Sequence, residues 1–204
     1  MIVLVRHLLG LALVGALPVV CSASTLIFDD FNSENGGAAA QTYGTFANWN
    51  VTEGTVDLQG NGVADNYPGF GLYVDMDGSN ALGTLRSKQL FSLSPGQYTL
   101  QFDIGNNPGP EGGGFGNNSM NVSLGALYSE TFQRNGVVPM ETIQRQINVP
   151  SGQSAYLIFS ELGVADSYGV IIDNVLLEDG VPEPASLALA GGSLAFLLLL
   201  RKRR

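Results

Sequence analysis

The residues able to do chemistry in this chain of 204 residues are oxygen donors. The single histidine, His7, and the single cysteine, Cys21, both fall within the first 23 positions, so residues 24–180 hold neither imidazole nor thiol. That stretch therefore has no Ser-His-Asp or Cys-His nucleophile, no zinc site built on nitrogen and sulfur, and no disulfide. It is rich in carboxylates instead: seventeen of the chain's 18 Asp and Glu lie there, against four cations, Arg86, Lys88, Arg134 and Arg145. Phosphate backbones would be repelled, which sets nucleic acid aside as a partner and leaves divalent cations and neutral polymers.

Two groups of oxygens invite a hard cation, which takes about six to eight of them from carboxylates, amides and carbonyls. Asp29, Asp30, Asn32 and Glu34 crowd the start of the stretch, and Asp173 interrupts an apolar run, Ile172 to Val175, near its end. A carboxylate buried there needs a partner. A structural calcium ion held by Asp30, Asn32 and Asp173 would provide one; a loop cap or backbone amides bonded to Asp173 would also serve. The run Asp75-Met76-Asp77-Gly78-Ser79-Asn80 opens like an EF-hand loop, but Asn80 stands where that loop needs glycine and Arg86 where it needs its closing Glu. It reads as a turn after a strand.

Sugar binding calls for flat rings and for amides and carboxylates that meet hydroxyls. Tyr67, Phe70 and Phe115 fall in turn-rich loops and are the candidate stacking residues, with Asn66, Asn106 and Asn107 close by in sequence. Trp49 leads an apolar strand and reads as core. Glycoside hydrolysis by two opposed carboxylates needs no histidine, yet no pair of acids stands out, so the stretch reads as non-catalytic with a hydrolase as the alternative.

The elements that must position these groups are strands. Residues 97–104 alternate without a break, Tyr98, Leu100, Phe102 and Ile104 against Gln97, Thr99, Gln101 and Asp103, as in an antiparallel sheet wet on one face. Further strands are expected over 25–28, 49–52, 55–58, 71–75, 83–93, 120–124, 128–132, 142–149, 156–160 and 170–177, with Glu53-Gly54 joining 49–52 to 55–58 as a hairpin. About ten strands punctuated by Gly, Pro and Asn predict an all-β domain over 24–180, two antiparallel sheets packed as a jelly-roll sandwich. The longer loops 33–45, 60–70 and 105–118 are where such a fold places a binding surface.

The two ends read as addresses. Residues 1–23 carry Arg6, an apolar core over 8–20 and a small-residue exit at Cys21-Ser22-Ala23, the plan of a secretory signal peptide cleaved after Ala23. At the other end, Pro182-Glu183-Pro184 precedes sixteen uncharged residues, 185–200, and then Arg201-Lys202-Arg203-Arg204. As a helix the run would span about 24 Å, slightly short of the ~30 Å hydrocarbon core, and the terminal cations would stay cytoplasmic. This tail, 181–204, resembles the PEP-CTERM sorting signal of Gram-negative bacteria. The resemblance implies a transmembrane helix that anchors the precursor in the inner membrane, recognition of Pro182, Glu183 and Pro184 by exosortase, and transfer to the cell surface or extracellular matrix.

The middle has a resemblance of its own. Trp49-Asn50-Val51-Thr52, Gly54 to Leu58 and Gly71 to Ser79 are similar to the opening half of galactose-binding-like jelly rolls in carbohydrate-binding modules. Ile172-Asp173-Asn174-Val175-Leu176-Leu177 is similar to their last strand, where the resemblance implies an aspartate that helps hold structural calcium beside the first strand. The expected function is binding or structuring of exopolysaccharide, with a hydrolase or a purely structural matrix protein as alternatives.

Overall fold

Period-two alternation builds the observed structure. In the strand Gly96–Asn106 the apolar set Tyr98, Leu100, Phe102 and Ile104 is buried, while Gln101 and Asp103 on the opposite face stay partly exposed. The computed structural model describes residues 23–79, 81–109 and 118–180. Residues 1–22 of the expected signal peptide lie outside the described residues, as do Phe115, Pro182, Glu183, Pro184, the run 185–200 and the basic end. Among the described residues no helix is long and apolar enough to cross a membrane.

The described residues form fifteen strands in chain order: β1 (Thr25–Asp29), β2 (Trp49–Glu53), β3 (Asp57–Gly60), β4 (Leu72–Asp75), β5 (Asp77–Gly78), β6 (Ala81–Leu82), β7 (Thr84–Ser87), β8 (Phe91–Leu93), β9 (Gly96–Asn106), β10 (Asn118–Leu124), β11 (Tyr128–Arg134), β12 (Glu141–Val149), β13 (Gln153–Ala155), β14 (Leu157–Glu161) and β15 (Val170–Asp179). A six-stranded sheet runs β12-β9-β15-β4-β3, with β1 also pairing with β15; a five-stranded sheet runs β11-β10-β14-β7-β2. All these pairings are antiparallel. Two small ribbons, β13-β8 and β5-β6, complete the structure. The all-β antiparallel sandwich expected from the sequence is the fold.

The inner faces meet through rings set edge to face, the arrangement favoured by the aromatic quadrupole. Phe102 of the six-stranded sheet touches Phe132 and Phe159 of the other, both at 5.4 Å between centroids, and Trp49 reaches Phe159 at 5.6 Å. Trp49 is fully buried, as expected, and its Nε1 donates to Asp29 Oδ2 at 2.9 Å, which satisfies the one polar atom the core would otherwise strand.

The hairpin expected across Glu53-Gly54 does not form. β2 pairs with β7 and β3 with β4, so the chain leaves one sheet at Glu53 and enters the other at Asp57. Gly54 sits at φ 56, and a Cβ there would lie 2.0 Å from the Leu82 carbonyl oxygen. The crossover runs flush against neighbouring backbone, which a tight turn between paired strands does not require. The single strand expected over 83–93 is likewise two, β7 in the five-stranded sheet and β8 paired with β13.

Candidate functional site

The site grows from the β3–β4 ladder, where Asp57 stands opposite Asp75 and Gln59 opposite Tyr73. Directly paired like charges destabilise a sheet, so this register needs a physical reason. Leu72 and Val74 of β4 join the core between the sheets, while the alternate residues Tyr73 and Asp75 take the other face. There Tyr73 packs with Tyr67 and Ile171 in a second, smaller apolar cluster, and its hydroxyl accepts from the Asn66 N–H at 2.6 Å and donates to Asp65 Oδ1 at 3.1 Å. The 61–71 loop thereby lies over the strand and closes this face from water.

Asp75, fully buried, is the hub. Its Oδ2 accepts from Gln59 Nε2 at 3.0 Å and Asn107 Nδ2 at 2.6 Å; its Oδ1 accepts from the backbone N–H groups of Asp77 at 3.1 Å and Gly169 at 3.0 Å. Burial pushes its carboxyl up to about 7, against the pull of those donors, and Asp57 across the ladder adds to the rise. Asp57 is itself raised by burial, with its Oδ1 accepting from the Thr42 N–H at 2.7 Å. Gly169 is required beside the hub: a Cβ would fall 2.5 Å from the Asp77 nitrogen and 2.8 Å from Asp75 Oδ1.

Above this hub opens a concave polar site of about 390 Å³, lined by Gln41, Asp57, Gln59, Asn66, Asn107 and Tyr168 among others. Its size suits a sugar residue or two, since small-molecule pockets start at about 300 Å³. One strand and the connections around it supply the lining: Asp57 and Gln59 from β3, Gln41 from the loop before β2, Asn66 from the loop before β4, Ser79 from the β5–β6 turn, Asn107 from the segment after β9 and Tyr168 from the loop before β15. Beside it, Asp77 Oδ2 accepts from the N–H groups of Asp166 at 2.7 Å and Ser167 at 2.9 Å, and Glu161 Oε2 accepts from the Val170 N–H at 3.1 Å. Glu161 is pushed up to about 8, first by burial and then by the charges of Asp75 and Asp77.

The expected stacking residues sit differently. Tyr67 is only 9% exposed, its hydroxyl donating to the carbonyls of Val138 at 2.9 Å and Asn106 at 3.1 Å, with Tyr73 and Phe70 against its ring. A ring so enclosed is a packing residue rather than a platform. Phe70 remains 40% exposed. Of the amides flagged beside them, Asn66 and Asn107 do line the site. The sequence shows Asp75 only as the opening of an EF-hand-like run and gives Gln59 no role; the signal for Asp75 is the alternation Tyr73-Val74-Asp75, which places an acid on the face of a tyrosine inside an otherwise apolar strand.

The expected calcium residues separate in part. Asp173 is buried and pushed up to about 8, chiefly by burial, with Asp103, Asp30 and Asp29 adding their charge. The pairing of β15 with β9 sets Asp173 opposite Asp103, and Asn174 Nδ2 donates to Asp103 Oδ2 at 2.8 Å and to Asp173 Oδ2 at 3.3 Å. Asn32 faces elsewhere, its Oδ1 accepting from the Leu72 N–H at 2.8 Å, and Asp30 Oδ1 accepts from the Asn32 N–H at 3.1 Å. Among the described residues no group of three or more His, Cys, Asp or Glu has the spacing to hold a metal ion.

Residues 180–204 match the PEP-CTERM protein-sorting motif. The chain carries a PEP-CTERM sorting signal. The motif takes in Pro182, Glu183 and Pro184, the residues singled out in the sequence, and accounts for the apolar run and basic end that follow them. Comparison with curated proteins yields no match. Among solved structures, the K3 cleaved adhesin domain of Lys-gingipain from Porphyromonas gingivalis is 18% identical with a TM-score of 0.46, covering 76% of this chain and 99% of that domain. The CBM22-1 xylan-binding domain of Paenibacillus barcinonensis Xyn10C is 12% identical with a TM-score of 0.44, covering 80% and 99%. The Cry4Aa toxin of Bacillus thuringiensis is 12% identical with a TM-score of 0.38; the match covers 56% of this chain and 20% of the toxin's length.

Proposed function

We propose that this protein is exported, sorted by exosortase to the cell surface or extracellular matrix, and there holds exopolysaccharide through the polar site over β3 and β4 without catalysing its breakdown. The observation that carries this reading is the pair of amides fixed by one buried carboxylate: Asp75 holds Gln59 and Asn107 at 3.0 and 2.6 Å, and both line the site. Fixed hydrogen-bonding groups in a concavity bind hydroxyls without first losing side-chain freedom. The match to a sorting motif supports the reading, because an exported protein can meet such a ligand.

Hydrolysis by Asp57 and Asp75 is the competing reading, since the two face each other across the ladder. It is disfavoured because both oxygens of Asp75 already accept two hydrogen bonds each, which leaves no lone pair facing a substrate. Titration of the full chain, solubilised in mild detergent, with a panel of oligosaccharides tests the proposal. Binding that falls at least about tenfold in Gln59→Ala, with no release of reducing ends, supports it. A panel with no binder ends it, and reducing ends released over time would favour the hydrolase.

A structural calcium ion belongs to the same proposal, now with Asp30 and Asp173 and without Asn32. Its support is the negative charge that Asp29, Asp30 and Asp103 direct at buried Asp173, which a hard cation would relieve. Millimolar calcium should raise the melting temperature of the full chain and leave Asp173→Ala unmoved; an unmoved wild type removes calcium from the account.

A further inference from the structure

The orientation of the two amides decides what kind of group the site accepts. An amide whose nitrogen is held by a carboxylate turns its oxygen the other way. Asp75 Oδ2 holds the nitrogens of both Gln59 and Asn107, so both residues offer oxygens. Gln59 is only 6% exposed, and its Oε1 is buried without a hydrogen-bond partner, so a ligand reaches it only if the side chain yields slightly. Asn107 Oδ1 accepts from the Gly109 N–H at 3.1 Å and keeps a second lone pair. Asp57 adds a desolvated carboxylate to the same lining, opposite a second one in Asp75. Among the described residues no Lys or Arg lines the site. The surrounding stretch 24–180 carries seventeen acids and four cations, so the field over the opening is negative.

The oxygens of Asp57, Gln59 and Asn107 meet here with no Lys or Arg beside them among the described residues, while Gln41, Asn66, Ser79 and Tyr168 elsewhere in the lining carry donors of their own. A sugar hydroxyl brings one donor and no charge; an ammonium group brings three donors and the charge that Asp57 lacks. A uronate would be repelled, and acetylation of an amine would remove both advantages. Resting on the polysaccharide reading above, we infer that this site takes the ammonium group of an unacetylated amino sugar, held between Asp57 and the amide oxygens of Gln59 and Asn107.

The test compares three β-1,4-linked tetramers with the full chain by calorimetry at pH 6: glucosamine, N-acetylglucosamine and glucose. Glucosamine should bind at least about tenfold more tightly than the other two, the scale of one charge-assisted hydrogen bond. Asp57→Asn should abolish the gap, and Gln41→Lys, which sets a cation at the exposed rim, should narrow it; folding of each is checked by its melting transition. Glu53→Gln, an equal loss of charge outside the lining, should leave the gap intact, which separates the site from general attraction to an acidic protein. Equal or tighter binding of the neutral tetramers overturns the ammonium assignment and leaves the polysaccharide reading standing. No binding of any tetramer overturns both, and a gap that closes equally in Glu53→Gln overturns the assignment to this site.

Discussion

At the residue scale the molecule turns on carboxylates that are buried and yet engaged. Asp75 ties Gln59, Asn107 and two backbone N–H groups together. Asp75→Ala should therefore cost about 3–5 kcal/mol in urea unfolding, because four buried donors lose their acceptor at once; a loss under about 1 kcal/mol would mean the hub is not what holds the site. The pH dependence follows from the same burial. Asp75 at about 7 and Glu161 and Asp173 at about 8 all titrate above their unfolded values near 4. The folded state then binds more protons than the unfolded one across that interval, so these groups stabilise fully below about pH 4 and lose their contribution as pH rises through about 7 to 8. The melting temperature should fall between pH 5 and pH 8.5, and Glu161→Gln should flatten the fall; a rise over that range would contradict the burial of these groups. The stretch Asp75 to Asn80 compared poorly with an EF-hand, and that failure was readable in the sequence. The hub was not, because its partners Gln59, Asn107 and Gly169 lie 16, 32 and 94 positions away.

At the element scale, strand register sets charge against charge in two places, Asp57 opposite Asp75 and Asp103 opposite Asp173. The second pair adjoins a register shift between Asp173 and Leu176, where Asn174 adopts φ 48 and lays its amide between the two carboxylates. A bulge that re-aims one side chain is a known device beside functional positions. The crossover at Gly54 is the other irregular element. Gly54→Ala should destabilise by about 2–3 kcal/mol, since it adds both left-handed strain and a clash with the Leu82 carbonyl. Urea midpoints at constant slope would measure this, and an unchanged midpoint would show that the crossover can move aside. The strands themselves were legible wherever alternation was long, as in 97–104. Their partners were not, since β2 and β3 look like a hairpin from their spacing alone and part to different sheets because Trp49 packs on Phe159 while Asp57 pairs with Asp75.

At the scale of the whole molecule, the chain carries a sorting motif over 180–204 and a sandwich over Ala23–Gly180. If exosortase processes the chain, mass spectrometry of the protein released to the surface should find a C-terminus near Pro182-Glu183-Pro184, and replacing those three residues by alanine should leave the protein in the membrane fraction. An intact tail ending at Arg204 on the surface form would refute processing. The sequence alone settled the matters that depend on local order: a proline bracket, an apolar run and four cations in succession, alternating strands, and a middle without histidine or cysteine. It also placed Trp49 in the core, since a large ring at the head of an apolar strand has nowhere better to go. Only the tertiary structure decided which oxygens meet. Tyr67 lies in the interior because the 61–71 loop folds over Tyr73, and Asp75 is the centre of a site because β3, the segment after β9 and the loop before β15 converge on it. Convergence of that kind is set by sheet pairing over long separations, and no local pattern of residues encodes it.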